Sequence, residues 1–186
     1  ELPHHVTLID DCSPDERIRE YFAYLAELND PRLNLLSNHQ NLGFVRTVNR
    51  GMASSQNDVV LLNSDTIVTS EWLEKLIHCA ESADNIGTIT PFSNNAEICS
   101  FPNFCEDNKL SDSTDIEKIN KAIEAAAVPL YPDIPTAVGF CMYIKRSLLD
   151  SIGSFDAETF RLGYGEENDF CRRAVNAGWR NVLCDD

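Results

Sequence analysis

The sequence has few basic residues, no long apolar run and no paired cysteines, and each of these absences excludes a class of protein. Fifteen basic residues against thirty acidic ones give a net charge of -15, which argues against a nucleic-acid partner. No apolar run approaches the roughly 20 residues that span a bilayer. The seven cysteines are scattered without a C-x-x-C pair, which argues against a disulfide framework or a zinc site. We expect reduced thiols and a cytoplasmic location, with any membrane association left to a longer parent protein.

The hydrophobic periodicity of the chain predicts alternating strands and helices. The predicted strands are 6–9, 32–36, 59–62, 86–90, 137–144 and 180–184. The predicted helices are 13–29, with Ser13 and Pro14 as cap and first turn, then 44–53, 71–82, 115–127, a short one from Arg146, and 166–177. This alternation favours an α/β fold with a mostly parallel sheet flanked by helices. Residues 92–135 interrupt it and are long enough for a lid or an acceptor-side region.

A carboxylate follows the most clearly buried of these strands. Val59–Leu62 leads directly into Asn63-Ser64-Asp65, three short polar side chains that are typical of a turn. Ligands of open α/β sheets bind at the carboxyl ends of strands, and a carboxylate there can hold Mg²⁺ or Mn²⁺. The alternative is that Asp65 only caps the helix that starts near Glu71.

A second acidic cluster opens the last predicted helix. Glu166 and Glu167 follow a Gly-Tyr-Gly sequence, and two neighbouring carboxylates raise the pKa of one of them, as a general base requires. The alternative is a solvated helix start, where negative charge is favoured. Asp169 lies about one turn before Arg172 and Arg173 and is expected to brace the helix.

Four short motifs occur in an order that carries more information than any one of them. They are Ile9-Asp10-Asp11-Cys12-Ser13, Asn41-Leu42-Gly43-Phe44-Val45-Arg46, Leu62-Asn63-Ser64-Asp65 and Gly165-Glu166-Glu167-Asn168-Asp169-Phe170-Cys171-Arg172-Arg173. In this order the sequence resembles the family 2 glycosyltransferases over nearly its whole length. The resemblance implies the GT-A fold, a Rossmann-like arrangement that binds nucleotide-diphospho-sugars.

The resemblance also implies which residues hold the nucleotide. The acidic pair that recognises the base and ribose falls on Asp10 and Asp11. The turn and helix that line the nucleotide pocket fall on Asn41, Gly43 and Arg46. The implied donor is a nucleoside-diphosphate sugar, with UDP or dTDP as the carrier.

The metal motif and the catalytic pair of the family fall on the other two motifs. Asn63 and Asp65 match the motif that binds the divalent metal, Mn²⁺ or Mg²⁺, and the diphosphate. Asn63 departs from the acidic residue usual at that position. Glu166 and Glu167 match the acidic pair whose second member is the catalytic base, with Glu where the family often has Asp. Gly139–Met142 is interpreted as an ordinary buried strand or, alternatively, as a wall beside the sugar.

The function implied by the resemblance is an inverting, metal-assisted transfer of a hexose-like sugar to a hydroxyl of a glycan or another acceptor, as in polysaccharide biosynthesis. The alternative is a non-catalytic nucleotide- or partner-binding module of the same fold. A sugar-phosphate nucleotidyltransferase would need a Gly-rich phosphate loop, which the sequence lacks. We expect one GT-A-like domain over residues 1–186, without the first strand and the C-terminal segment of the family.

Overall fold

The computed structural model describes residues 3–111, 113–161 and 163–186 and confirms the predicted order of strands and helices. The strands are β1 (Val6–Asp10), β2 (Leu33–Ser37), β3 (Val59–Leu62), β4 (Ile86–Pro91), β5 (Cys141–Ile144) and β6 (Arg180–Cys184). The helices are α1 (Glu16–Glu27), α2 (Phe44–Ala53), α3 (Trp72–Glu81), α4 (Ile116–Ala126), α5 (Arg146–Ile152) and α6 (Glu166–Asn176), with a 3₁₀ turn at Glu97–Cys99. None of these helices combines the length and apolarity needed to cross a bilayer.

The chain divides into two compact units, which are described separately. The first unit contains Glu1–Ser55 and Phe155–Glu166. The second contains Gln56–Ser154 and Glu167–Asp186. The prediction that residues 1–186 form a single domain stays a prediction.

The first unit is built on two parallel strands and the helices that follow them. In the β1–β2 ladder Asp10 lies opposite Ser37, so both strands end at the same edge and their polar loops follow from there. The Asn49 side chain of α2 donates to the Phe155 carbonyl at 2.8 Å and accepts from the Phe155 amide at 3.1 Å. These two bonds attach the 155–166 segment to α2, so it packs with the first unit.

The second unit contains a four-stranded sheet in the order β3-β5-β4-β6. β4 and β6 are parallel, whereas β5 runs antiparallel to both of its neighbours. The fold is therefore the expected α/β class with a mixed sheet. The long 92–135 excursion precedes β5, so the chain re-enters the sheet from the opposite direction.

The apolar core of the second unit lies between this sheet and α3. Leu76 of α3 contacts a cluster that includes Ile86, Ile89 and Val182, all at most 1% exposed. Each such side chain contributes about 1.5–3 kcal/mol by leaving water. This packing fixes the strands whose ends carry the polar residues described below.

Two local predictions were wrong, each for a visible reason. The N-cap of α1 is Asp15, whose carboxylate accepts from the Arg17 amide, so Ser13 and Pro14 lie before the helix. Strand β5 begins at Cys141 instead of residue 137. The amides of residues 137 and 138 bond to side chains, and residues bonded in this way do not continue a ladder.

The 92–135 region contains turns, the 3₁₀ helix and the amphipathic helix α4. Asp115 caps α4 by accepting from the Lys118 amide. Glu124 of α4 forms an ion pair of 2.5 Å with Lys75 of α3. These contacts attach the helix to the second unit. A lid or acceptor-side role for this region stays a prediction.

Candidate active site

In the first unit, Asp11 braces the polar loop that follows β2. One carboxylate oxygen accepts from the Leu42 amide at 2.8 Å and the Asn38 side chain at 2.7 Å, and the other accepts from the Gly43 amide at 2.9 Å. Burial acts to raise the pKa of Asp11, but these bonds and one from the Thr47 hydroxyl outweigh it, so the pKa lies below its ordinary value. Asp11 is an ionised anchor for the loop.

The neighbouring candidates are arranged around the start of α2. Asp10, at the end of β1, accepts from the Ser13 amide at 2.9 Å. The Asn41 side chain accepts from the Gly43 amide at 3.0 Å. Gly43 has φ +79°, and a Cβ there would lie 2.9 Å from the Arg161 carbonyl oxygen, so both the conformation and the close approach require glycine.

A groove of about 270 Å³ opens beside this loop. Its lining contains two arginines and no acidic residue among the described residues, although the chain as a whole has a net charge of -15. It is lined by Gln40, Asn41, Leu42, Gly43, Arg46 and Arg161. The Arg46 guanidinium pairs with Glu158 at 2.7 Å, and Arg161 Nε donates to the Glu158 carbonyl at 3.3 Å. Two guanidiniums and amide donors suit an anion such as a diphosphate. Sequence reasoning found Arg46 but missed Arg161.

In the second unit, the Asn63–Asp65 motif forms an exposed turn directly after β3. The Thr66 amide donates to the Asn63 carbonyl at 3.1 Å, which closes the turn. The Asn63 amide donates to the Phe140 carbonyl at 2.9 Å, one step beyond the β3–β5 ladder. The alternative role of Asp65 as a helix cap is wrong, because the N-cap of α3 is Glu71, whose side chain makes no capping bond.

The Glu167 carboxylate lies against the segment that enters β5. A Cβ added to Gly139 would stand 2.2 Å from Glu167 Oε1 and 3.3 Å from its Cδ. Phe140, the next residue, carries the carbonyl that holds the Asn63 amide. Gly139 and Phe140 therefore connect Glu167 with the Asn63–Asp65 turn.

The remainder of α6 supports Glu167 from the C-terminal side. Asp169 forms an ion pair of 2.8 Å with Arg173, which confirms the predicted bracing role. Arg173 also donates to the carbonyls of Ile152 and Ser154, at 2.8 and 2.9 Å. These bonds tie α6 to the end of α5.

Glu166 belongs to the first unit and is almost completely buried. It is 3% exposed, and its Oε2 has no hydrogen-bond partner among the described residues. Gly163, Tyr164 and Gly165 before it all have positive φ, at +93°, +70° and +110°. Such a run of left-handed residues is strained at Tyr164 and typical of functional loops.

Potential metal ligands and thiols are dispersed over residues 3–111, 113–161 and 163–186. Within these ranges no three His, Cys, Asp or Glu side chains are grouped so that they could hold a metal ion. The seven cysteines are free, and five of them are buried. Burial raises the pKa of the Cys99 and Cys141 thiols to about 12, so both stay protonated.

The structure thus gathers the predicted residues into two sets. Asp10, Asp11, Asn41, Gly43, Arg46 and Glu166 belong to the first unit, and Asn63, Asp65 and Glu167 belong to the second. Donor groups dominate the groove of the first set, and oxygen acceptors dominate the second set. An anion and a cation or proton are the complementary ligands.

The chain belongs to glycosyl transferase family 2, whose model matches residues 1–153. No curated protein sequence matches it. Solved structures with the same fold include GalNAc-T7 with UDP, GalNAc and Mn²⁺, at 14% identity and TM-score 0.70, over 97% of this chain and 36% of that one.

Two further structures share the fold. The mannosyltransferase PcManGT from Pyrobaculum calidifontis, in complex with GDP-Man and Mn²⁺, has 15% identity and TM-score 0.60, over 96% of this chain and 45% of that one. S. aureus TarS 1-349 has 17% identity and TM-score 0.61, over 98% of this chain and 49% of that one. These identities show the fold alone, which is GT-A as expected. The chain spans less than half the length of each structure.

Sequence reasoning missed Arg161 and named Gly139 only as part of a buried strand or a wall beside the sugar. Arg161 carries a scarce positive charge just before the Gly-Tyr-Gly loop, and that position was its only signal. Gly139 interrupts a predicted apolar strand, and an isolated glycine in a strand often marks the close approach of another group. That group is the Glu167 carboxylate.

Proposed function

We propose that this chain transfers a sugar from a nucleoside-diphosphate sugar to an acceptor hydroxyl with inversion. The observation that carries the proposal is the Gly139-Phe140 segment, which touches the Glu167 carboxylate on one side and binds the Asn63–Asp65 turn on the other. A base and a site for a charged leaving group must be close neighbours for such a transfer. Membership of family 2 supports the same reaction class.

In this reaction Glu167 accepts the proton of the acceptor hydroxyl. The hydroxyl oxygen forms a bond to the anomeric carbon as the bond from that carbon to the diphosphate oxygen breaks. The electron pair leaves with the nucleoside diphosphate. Attack from the face opposite the leaving group inverts the anomeric configuration. Glu167 is half-buried beside Gly139, which limits the positions its carboxylate can take.

The residues of the exposed turn suit a divalent metal. Asp65 offers a carboxylate and Asn63 an amide oxygen, the hard donors that Mg²⁺ or Mn²⁺ takes, and two such residues leave coordination sites for a diphosphate and water. A metal held there would act as a Lewis acid on the departing diphosphate. The Mn²⁺ in the GalNAc-T7 and PcManGT structures supports this assignment.

The first unit is proposed to hold the nucleotide. Arg46 and Arg161 suit the diphosphate, and Asn41 and the amides at the start of α2 offer further donors. Asp10 is proposed for the ribose or base, while Asp11 fixes the loop that carries Asn41 and Gly43.

The buried carboxylate of Glu166 is proposed to bind a hydroxyl group of the donor. Its Oε2 lacks a hydrogen-bond partner among the described residues, and leaving such an atom unsatisfied costs about 1–3 kcal/mol. A sugar hydroxyl would supply the missing donor.

The uridine and thymidine diphosphates are the preferred carriers, a hexose is the preferred sugar, and a glycan is the preferred acceptor. The UDP and GDP-Man in the related structures support a nucleoside-diphosphate donor without selecting one. A cytoplasmic location and a role in polysaccharide synthesis are part of the same proposal.

The proposal is tested by calorimetric titration of UDP into the protein with Mn²⁺ and with a chelator, for wild type, Asp65→Ala and Asp84→Ala. Asp84 is an exposed aspartate of the same unit and serves as the matched control. We expect metal-dependent binding in the wild type and in Asp84→Ala, and binding without metal dependence in Asp65→Ala. Equal metal dependence in all three proteins would contradict the assignment of Asp65.

A non-catalytic module is the second candidate, and Asn63 favours it because the turn then carries one carboxylate instead of two. The two candidates differ in turnover. Release of UDP or GDP from UDP-GalNAc or GDP-mannose, lost in Glu167→Gln, supports the enzyme. Nucleotide binding with no release from any of a panel of UDP-, dTDP- and GDP-sugars in the full-length protein supports the module.

A further inference from the structure

The backbone conformation at residue 139 does not require a glycine. Its φ lies outside the left-handed region, unlike that of Gly163 or Gly165, so any residue could adopt its conformation. What excludes a side chain is the Glu167 carboxylate, which would lie 2.2 Å from an added Cβ. Cβ atoms do not come this close to a non-bonded oxygen, so one of the two groups would have to move.

The main chain around Gly139 is held from three directions. The Val138 amide donates to Thr90 Oγ1 of β4 at 3.0 Å. The Ala137 amide donates to Cys171 Sγ of α6 at 3.2 Å. The Phe140 carbonyl accepts from the Asn63 amide at 2.9 Å. Since Thr90, Ala137 and Cys171 are at most 2% exposed, the first two of these bonds lie in the interior and the segment has little freedom to retreat.

The bond to Cys171 ties this segment to the helix that carries Glu167. Cys171 follows Glu167 by four residues, so the two side chains lie on one face of α6. The Asn181 side chain donates to the Cys171 carbonyl at 3.2 Å and accepts from the Thr88 hydroxyl at 2.7 Å. Helix α6 is therefore bonded to the sheet near the point where Gly139 meets Glu167.

We propose that Gly139 is a positioning residue that sets where the Glu167 carboxylate lies. The proposal rests on the proposed function, in which Glu167 is the base. A side chain at residue 139 would move the carboxylate and leave nucleotide binding by the first unit intact. The bonds to Thr90 and Cys171 keep the main chain in place, so the displacement falls on Glu167.

The activity test compares Gly139→Ala with Gly87→Ala, using the donor sugar that the wild type turns over. Gly87 is in β4 of the same unit, and a Cβ there would lie 2.8 Å from Leu148 Cδ2, so this control measures the cost of an extra methyl group away from Glu167. We expect kcat to fall about 100-fold in Gly139→Ala, as for a misplacement of about 1 Å, with UDP affinity changed less than twofold. Gly87→Ala should lower the melting temperature and change kcat less than threefold.

The second test is a double-mutant cycle with Glu167→Asp. The shorter side chain withdraws the carboxylate from the added methyl group, so Gly139→Ala should lower the melting temperature and kcat less in the Glu167→Asp background than in the wild type. If Gly139→Ala does not fold, recovery of folding in the double variant would likewise show that the added methyl group acts through Glu167. A double variant that behaves as the sum of the single variants in both readouts would overturn the proposal.

The two proposals fail in different ways. Full activity of Glu167→Gln would remove the base assignment, and the positioning proposal with it. Loss of activity in Glu167→Gln, together with wild-type kcat in Gly139→Ala, would overturn the positioning role alone. The melting-temperature cycle measures the contact between residues 139 and 167 without any substrate, and an absence of coupling in both the melting temperature and kcat overturns the proposal.

Discussion

Asp11 and Asp65 follow strands in the two units and yet have opposite surroundings. Asp11 accepts hydrogen bonds from two backbone amides and from the Asn38 and Thr47 side chains, which satisfy its carboxylate within the first unit. Asp65 is exposed on its turn and accepts no hydrogen bond from the described residues. A carboxylate after a strand can thus be held by the fold or left exposed, and its hydrogen bonds distinguish the two cases.

The same contrast extends to the two units as a whole. The first unit presents donors, with the side chains of Gln40, Asn41, Arg46 and Arg161 around one groove. The second presents acceptors, with Asp65 and Glu167 near the Gly139-Phe140 segment. Donors suit the nucleoside diphosphate, and acceptors suit a metal ion and a proton. Nucleotide affinity and chemistry should therefore respond to different substitutions, and the predictions below test that separation.

The largest expected effect is that of Glu167→Gln. The amide keeps the size of the side chain but cannot accept a proton, so kcat should fall by about 10²–10⁴-fold. UDP affinity should stay within twofold, because Glu167 is not among the proposed contacts to the nucleotide. Steady-state release of UDP or GDP from the donor sugar and calorimetric titration of UDP measure the two quantities.

Asp169→Asn is the matched control for this substitution. It lies on the same helix and weakens the ion pair with Arg173 without removing the base. Its melting temperature should fall, whereas its kcat should stay close to that of the wild type. A parallel loss of UDP affinity and kcat in Glu167→Gln would contradict the assignment of nucleotide affinity and chemistry to different units.

The next effect is that of Arg161→Ala on nucleotide affinity. A charge-assisted hydrogen bond contributes about 1.5–3 kcal/mol, so UDP should bind about 10–100-fold more weakly, while kcat at saturating donor should change little. Arg17→Ala is the control, since Arg17 is an arginine of the same unit that pairs with Asp15 and lies outside the groove. Equal losses in both variants would show only a general effect of charge.

The order of elements followed from the sequence because hydrophobic periodicity is local. β3 and β6 begin and end where the pattern predicts, and Asp169 meets an arginine one turn later. Contacts between distant segments carry no such signal. The approach of Gly139 to Glu167 and of Arg161 to Gly43 depends on tertiary packing.

The errors at element ends have the same origin. Residues 137–140 are apolar enough for a strand, but bonds from the amides of Ala137 and Val138 to Cys171 and Thr90 replace the ladder. The nucleotide-binding role that the resemblance implies for Asp11 stays a prediction, and its three bonds to the loop appear only in the folded chain. The positions of the carboxylates in the sequence do not predict which of them accept hydrogen bonds within the folded protein.

A smaller effect is expected from Asp11→Asn, and it concerns stability. The amide turns a donor toward the Leu42 or Gly43 N–H, so the free energy of unfolding should fall by about 1–3 kcal/mol. The pKa of Asp11 is lowered in the folded state, so its contribution is present above the unfolded value of about 3.9 and is lost as pH falls through the folded value. Urea unfolding between neutral pH and pH 2 should show the two proteins converging in acid.

Asp30→Asn provides the control, because hydrogen bonds from the Arg32 side chain and amide lower the pKa of Asp30 to about 2. Its contribution follows the same pH direction but depends on an exposed ion pair. High salt should therefore weaken the contribution of Asp30 and leave that of Asp11 largely unchanged. Equal salt sensitivity would mean that Asp11 is no better anchored than a surface aspartate.

The smallest expected effect is a gain in UDP affinity, whereas the preceding substitutions cause losses. Glu158 pairs with Arg46 at 2.7 Å while 77% of its side chain is exposed, so Glu158→Gln frees the guanidinium at little cost. UDP should then bind more tightly by less than about fivefold. Glu20→Gln, an exposed glutamate on α1, makes the same change in net charge and should leave affinity unchanged. If both variants tighten binding equally, the overall charge of -15 sets the affinity, and the local pairing of Arg46 does not.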